Sequence, residues 1–161
     1  MEIRLDEVNE TEKEILYRLL QFSLYEESAG DGNEMTREAV FAYPRFDAYF
    51  TEDTRDDRSA YLIREAATGK LLGFVMINTY LQQFREGHNI AEFLVIPKYR
   101  RKKVGKQAAF ACFDRFGGNW EVSPAQGSDQ AYLFWKHIVE AYTNGNYRFE
   151  EGIFLFSGFV K

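Results

Sequence analysis

The chain has 161 residues, 45% hydrophobic and 28% charged, with a formal net charge of -5; that length sustains one domain with its own core and is too short for two of ordinary size. The acidic balance, with a pI of about 5.2, argues against nucleic acid or an anionic membrane surface as a partner. A single cysteine, Cys112, excludes an intrachain disulfide, and with only His88 and His137 beside it no metal site is expected.

The opening MEIRLDEVNE lacks the apolar core of a signal peptide, and no run approaches the ~20 apolar residues of a membrane span, so a cytoplasmic setting is expected. Ile3 to Leu5 alternate and predict an edge strand. Thr11 and Glu14 stand at capping-box spacing before Ile15, Leu16, Leu19 and Leu20, which predicts a helix from about Thr11 to Tyr25. SAGDGNE then reads as a flexible break. MTREAVFAYPRFDAYF reads as short helices or turns, because Pro44 interrupts any helix begun before it. The runs AYLIREA and LLGFVMINTY flank TGK and make a hairpin pattern. A third run spans Ile90 to Ile96 and is closed by Pro97. From Val104 the periodicity is helical until FGGN, and WEV is a short strand. Ser128 is the expected N-cap of a last helix with the stripe Ala131, Phe134, Trp135, Ile138 and Tyr142. After the turn TNGN, GIFLFSGFV supplies the final strand. The order is strand, helix or helices, two antiparallel strands, strand, helix, strand, helix, strand, in one domain over 1–161.

The junction from Glu92 to Phe110 carries the chemical argument. A strand that feeds directly into a helix leaves the first helical amides without intrachain acceptors and aims the positive end of the helix dipole at one spot, which suits phosphate. Arg100, Arg101, Lys102, Lys103 and Lys106 lie in or beside that turn, and Gly105 leaves its backbone bare for close approach. A run of Lys and Arg on a solvated face is the alternative reading. VGKQAA lacks the glycines and the Ser or Thr of a Walker loop, and no Gly-x-Gly-x-x-Gly follows an early strand, so neither a triphosphatase nor a dinucleotide oxidoreductase is expected.

The stretch EFLVIPKYRRKKVGKQAAFACFDRF resembles the coenzyme A segment of the GNAT superfamily of N-acetyltransferases. That signature runs Arg or Gln, two residues, Gly, one residue, then Gly or Ala. Arg100 falls on its first position and Gly105 on its last, while Lys103 stands where the middle glycine is usual. With WEV and AYLFWKHIVEAYTNG, the stretch also resembles a little-characterised bacterial branch of predicted acetyltransferases. The resemblance implies an α/β fold: a central mixed, twisted sheet flanked by helices, in which the Ile90 to Ile96 strand splays from the next, near Trp120 to Val122. It implies acetyl-CoA as cofactor, its pantetheine arm against the backbone of Phe93, Leu94 and Val95. The pyrophosphate would sit on amides from Arg101 through Lys102, Lys103, Val104 and Gly105 to Lys106. Lys103 either offers only its amide there or adds its charge to that of Arg100 or Arg101. The implied acceptor is a small-molecule or peptide amine; homodimers are common in the superfamily, though no segment here names an interface.

Acetyl transfer to a neutral amine needs a proton acceptor and donors for the oxyanion. A strand amide near Phe93 or Leu94 is the expected donor. Glu92 is the nearest acid in sequence and shares a strand face with Leu94 and Ile96. It is either a base acting through water or a carboxylate paired with an arginine. Many superfamily members carry a Tyr after a Phe in the last helix to protonate the thiolate, but here the pair is Phe134 and Trp135. Tryptophan cannot serve as that acid, so Trp135 reads as a wall of the cofactor channel or as core. Tyr132, one turn back on a neighbouring face, is the replacement candidate. Cys112 reads as core; Asp53, Asp56 and Asp57 as a solvated loop; Asp47 as a reserve acid; and the aromatics before Phe50 as acceptor-pocket walls or core. Two readings follow: an acetyl-CoA-dependent N-acetyltransferase, or a GNAT-like coenzyme A-binding regulatory module without strong catalysis.

Overall fold

The computed structural model describes residues 1–51 and 57–158. Its described residues form a seven-stranded mixed sheet in the order β1-β2-β3-β4-β5-β7-β6. β1 (Ile3–Glu7), β2 (Arg58–Glu65), β3 (Leu71–Asn78) and β4 (His88–Val95) run as an antiparallel meander. β4 then pairs in parallel with β5 (Gly118–Val122), β7 (Ile153–Gly158) pairs antiparallel with β5, and β6 (Arg148–Glu150) completes the sheet antiparallel to β7. Three helices cover the faces: α1 (Lys13–Asp31), α2 (Val104–Phe116) and α3 (Asp129–Thr143).

The hairpin around TGK, the strand before Pro97 and the Ser128 cap all form, Ser128 Oγ accepting from Ala131 N at 3.1 Å. Three expectations change. The Thr11/Glu14 capping box does not form. Instead Asn9 Oδ1 accepts from Thr11 N at 3.0 Å and caps a short 3-10 turn, Glu10–Glu12, that leads into α1. SAGD is not a break, because α1 continues to Asp31 and stops at Gly32, whose φ of 74° suits glycine. A glycine within that last turn has a packing cause: a Cβ on Gly30 would overlap the carbonyl of Gln126, so α1 can lie against the loop after β5. β6 escaped the sequence reading because it is only three residues long, all of them exposed. Asp53 and Asp56 lie outside the described residues; Asp57 is exposed, its carboxylate accepting from Thr79 Oγ1 at 3.2 Å.

The sheet is buried on both faces. On one, Leu16, Leu20 and Leu24 of α1, with Phe41, Phe46 and Tyr49, cover Leu62, Phe74, Met76 and Leu94. On the other, α2 and α3 bring Phe113, Trp135, Ile138 and Val139 onto Val75, Ile77, Trp120 and Phe156. Each fully buried large apolar side chain contributes on the order of 1.5–3 kcal/mol. Cys112 is fully buried in this core, and burial pushes its thiol up to about 12.

Candidate active site

β4 and β5 are paired only at His88 with Trp120, Asn89 with Glu121 and Ile90 with Val122. Ala91 is an additional residue in the β4 ladder to β3, a bulge that bends the strand where pairing to β5 stops. Below the bulge the strands are pinned. The buried Glu121 carboxylate accepts from Gln82 N at 2.9 Å, Gln83 N at 2.8 Å and Phe84 N at 2.7 Å, which satisfies its charge and ties the β3–β4 loop to β5. Above it the strands part. A cleft of about 1390 Å³ opens there, walled by β4, the start of α2, the middle of α3, the loop after β5 and the end of α1.

Ile96 N donates to Leu72 O of β3 at 2.8 Å. Groups of alternate residues share a side of a strand, so Leu94 also turns its amide toward β3, whereas Phe93 and Val95 turn theirs into the opening. Of the three strand residues expected to meet pantetheine, Leu94 therefore offers no backbone hydrogen bond to the cleft. Val95 O is already taken by Arg100 Nε at 2.9 Å. Phe93 N–H is the free group nearest Glu92.

At the α2 end, Gln107 N is the first helical amide with a backbone acceptor, Lys103 O at 3.0 Å. Among the described residues, none of the amides from Arg101 to Lys106 has a hydrogen-bond partner. Arg101 and Lys103 both adopt left-handed backbone, φ 64° and 63°, which folds the turn into a concave row of N–H groups. Lys103 thus holds without glycine the conformation that the missing signature glycine would favour. Exposed side chains of Arg101, Lys103 and Lys106 line the cleft here. Arg100 fastens the end of β4, and Lys102 leans over the Tyr99 ring, 6.0 Å from its centroid. Val104 is buried under the sheet, so only its amide is available. Gly105 acts differently from expectation: its missing Cβ makes room for protein, since one would stand 2.8 Å from Phe134 Cζ and 3.6 Å from Val95 Cγ2. Phe134 and Trp135 in turn pack on Phe93, at 5.9 and 4.9 Å between centroids. Trp135 is both core and cleft wall.

The opposite wall is acidic. Glu92 faces α1, with Oε2 3.5 Å from the Tyr43 hydroxyl, a long contact in which the phenol donates. Its carboxyl is pushed up to about 9, first by burial, then by the charge and hydrogen bond of Glu27, with Asp31 adding repulsion and Tyr43 opposing. Burial raises the Glu27 carboxyl as well. Glu27 was not singled out from sequence, yet a signal existed: Leu16, Leu20, Ser23 and Glu27 follow one helical stripe, and an acid on a buried stripe asks for a reason. Tyr49, buried and raised to about 12 mainly by desolvation, lies against Tyr43 and Asn78. The arrangement joins an acid pair to a phenol pair at the point where the strand opens.

Two other candidates fall away from this point. Tyr132 packs its ring on Phe149 and Phe154 of the β6–β7 hairpin, at 5.2 and 5.7 Å, and does not line the cleft. Asp47 is exposed and paired with Lys13 Nζ at 2.6 Å. His88 is half-buried against Phe116 and Trp120, and exposed His137 lies on the outer cleft wall.

Comparison with known proteins gives the same outline. The fold matches that of a GNAT-family acetyltransferase from Staphylococcus aureus Mu50 with a TM-score of 0.58 at 12% identity, covering 97% of this chain and 99% of that one. It matches the aminoglycoside acetyltransferase AAC(6')-Ib in complex with coenzyme A with a TM-score of 0.62 at 12% identity, over 97% and 95%. Glucosamine-6-phosphate N-acetyltransferase from Arabidopsis thaliana matches with a TM-score of 0.52 at 15% identity, over 86% and 91%. No curated protein is significantly similar in sequence. The model of the acetyltransferase (GNAT) family matches residues 20–124, a span that includes α1 from Leu20 onward, the bulged and opened β4, the cationic turn and β5, and the chain belongs to that family.

Proposed function

We propose that the protein is an acetyl-CoA-dependent N-acetyltransferase acting on a small amine or a peptide amino group. One observation carries the reading: a single cleft runs from a row of unpartnered amides under Arg101, Lys103 and Lys106 to a half-buried acid pair beside the freed amide of Phe93. Orphaned amides at a helix start, with cations around them, fit a pyrophosphate, so residues 101–106 would hold that part of the cofactor. When bound, acetyl-CoA supplies a thioester carbonyl, whose carbon forms a bond to the amine nitrogen while its bond to sulfur breaks.

The chain's own residues divide the remaining work. Phe93 N–H is the donor for the developing oxyanion, and the rings of Phe93, Phe134 and Trp135 exclude water beside it. Glu27 and Glu92 lie close enough for each to resist the other's ionisation, so an ammonium group brought between them relieves that repulsion. Glu92 accepts the amine's proton, through water, and a base whose affinity for protons is raised toward that of an amine is suited to the exchange. With Tyr132 turned to the β6–β7 hairpin, no side chain is assigned to protonate the sulfur.

The test is incubation with acetyl-CoA and a panel of primary amines, reading both free thiol and the mass of the acetylated amine. Transfer to at least one amine above the rate of thioester hydrolysis is expected. Saturable coenzyme A binding with no transfer to any amine would contradict the enzymatic reading and leave a coenzyme-binding regulatory module.

A further inference from the structure

A second hollow, about 500 Å³, lies on the acceptor side and is lined by Tyr43, Arg45, Tyr49, Arg58, Asn78 and Tyr80, together with Pro44. It meets the acid pair through Tyr43, which lines this hollow and sends its hydroxyl to Glu92. Arg58 is the anomaly in it. The residue is 5% exposed, yet among the described residues its guanidinium has no carboxylate partner. Its contacts are one hydrogen bond, Nη1 donating to the Tyr80 hydroxyl at 3.1 Å, and the Tyr80 and Tyr49 rings, whose centroids lie 4.5 and 6.0 Å from Cζ.

Those contacts do not balance the charge. A guanidinium carries five N–H donors; apart from the one given to Tyr80, those of Arg58 are not sealed inside protein but keep access to the hollow. Buried charges are ordinarily paired. Here the unfilled donors border an open hollow, beside a hydroxyl and an amide side chain that can also meet an anion. Tyr49 lies close enough to Arg58 and to Glu92 for both charges to act on its hydroxyl, so the phenol pair lies within reach of both the cation and the acid.

We propose that this hollow binds an oxyanion group of the acceptor, with Arg58 as its counter-ion, so that the acceptor is an amine bearing its own carboxylate or phosphate. The amine end lies toward Glu27 and Glu92 and the oxyanion end toward Arg58, whose planar fork suits bidentate contact with either group. The assignment rests on the N-acetyltransferase reading for which end reacts, but the pocket can be tested by binding alone.

The experiment is calorimetric titration of the full chain, saturated with coenzyme A, with matched amines: L-phenylalanine against phenethylamine, and phosphoethanolamine against ethanolamine. Wild type is expected to bind the charged member of at least one pair about 10-fold or more tighter than its neutral mate, and the responding pair tells carboxylate from phosphate. Arg58→Met should abolish that gap, Arg58→Lys should restore part of it, and the unliganded Arg58→Met chain should melt about 2 °C or more above wild type once the unpaired charge is gone. Tyr80→Phe, which removes only the hydroxyl that orients the guanidinium, should shrink the gap and covers the case in which Arg58→Met does not fold. Wild type that binds no charged member better than its mate, a gap that persists in Arg58→Met, or a gap left undiminished in Tyr80→Phe, overturns the proposal. A gap without acetyl transfer would count against the enzymatic reading alone, and transfer without a gap against this one alone.

Discussion

The two ends of the cleft are made in different ways. The cationic end is one contiguous segment, Arg100 to Lys106, whose recognition groups are backbone amides and exposed cations. The acidic end is assembled from side chains far apart in sequence: Glu27 on α1, Tyr43 and Tyr49 before β2, and Glu92 at the bulge of β4. The first offers a ligand geometry that any residue's backbone can supply. The second depends on residue identity and on burial, and so should be the more fragile to single substitutions.

The largest effect that would sharpen the contrast is on turnover. Glu92→Gln should lower kcat by about 100-fold or more while leaving acetyl-CoA affinity near wild type, the behaviour of a lost base. With the Glu92 carboxyl held up to about 9, wild-type kcat/KM should rise with pH to a limb that stays in place for acceptors of different amine pKa and disappears in the variant. Stability carries the same signature with its own sign. A carboxyl raised from 4.5 to about 9 favours the native state below 4.5 and loses that contribution as pH climbs to about 9. Thermal denaturation of the unliganded proteins should therefore show Glu92→Gln gaining on wild type across that window, and parallel curves would break the account of the acid pair.

At the other end, Arg101→Ala and Lys106→Ala should each weaken acetyl-CoA binding by about 1 to 3 kcal/mol, more at low salt, with the kcat at saturation little changed. Gly105→Leu should lower thermal stability by about 1–3 kcal/mol through overpacking against Phe134 and Val95, and Phe134→Ala in the same chain should recover much of it. The smallest effect belongs to Lys103. Replacing it with Gly relieves a left-handed residue with φ 63° and should stabilise by about 0.5 kcal/mol, after the added freedom of the unfolded chain is counted. A weakening of coenzyme binding in Lys103→Gly would show that its ammonium, beyond its amide, meets the phosphates.

The same division explains what could be read from the sequence. The hairpin, the strand before Pro97, the helix start at Val104 and the Ser128 cap are local patterns, and the cationic turn is local too. The face shared by Glu92 and Leu94 follows from strand alternation, and Leu94 does pack with the α1 layer. Glu27 needed tertiary information, because its meaning comes from α1 continuing past Tyr25 to reach β4. Gly105 was legible as special but not for its cause, which is a ring from α3. Arg58 carries no motif; only burial without a carboxylate partner marks it.

The central claim is that one cleft receives phosphates at residues 101–106 and leaves the acid and phenol end for the acceptor. Amide chemical shifts during titration of the wild-type chain with coenzyme A test it most directly, because both ends report in one spectrum. Large, saturable shifts at Arg101 to Lys106 and at Phe93, with little change at Tyr49, Arg58 and Tyr80, are the predicted result. Saturation of shifts centred on Tyr49 and Arg58, or no saturable change at residues 101–106, would contradict it.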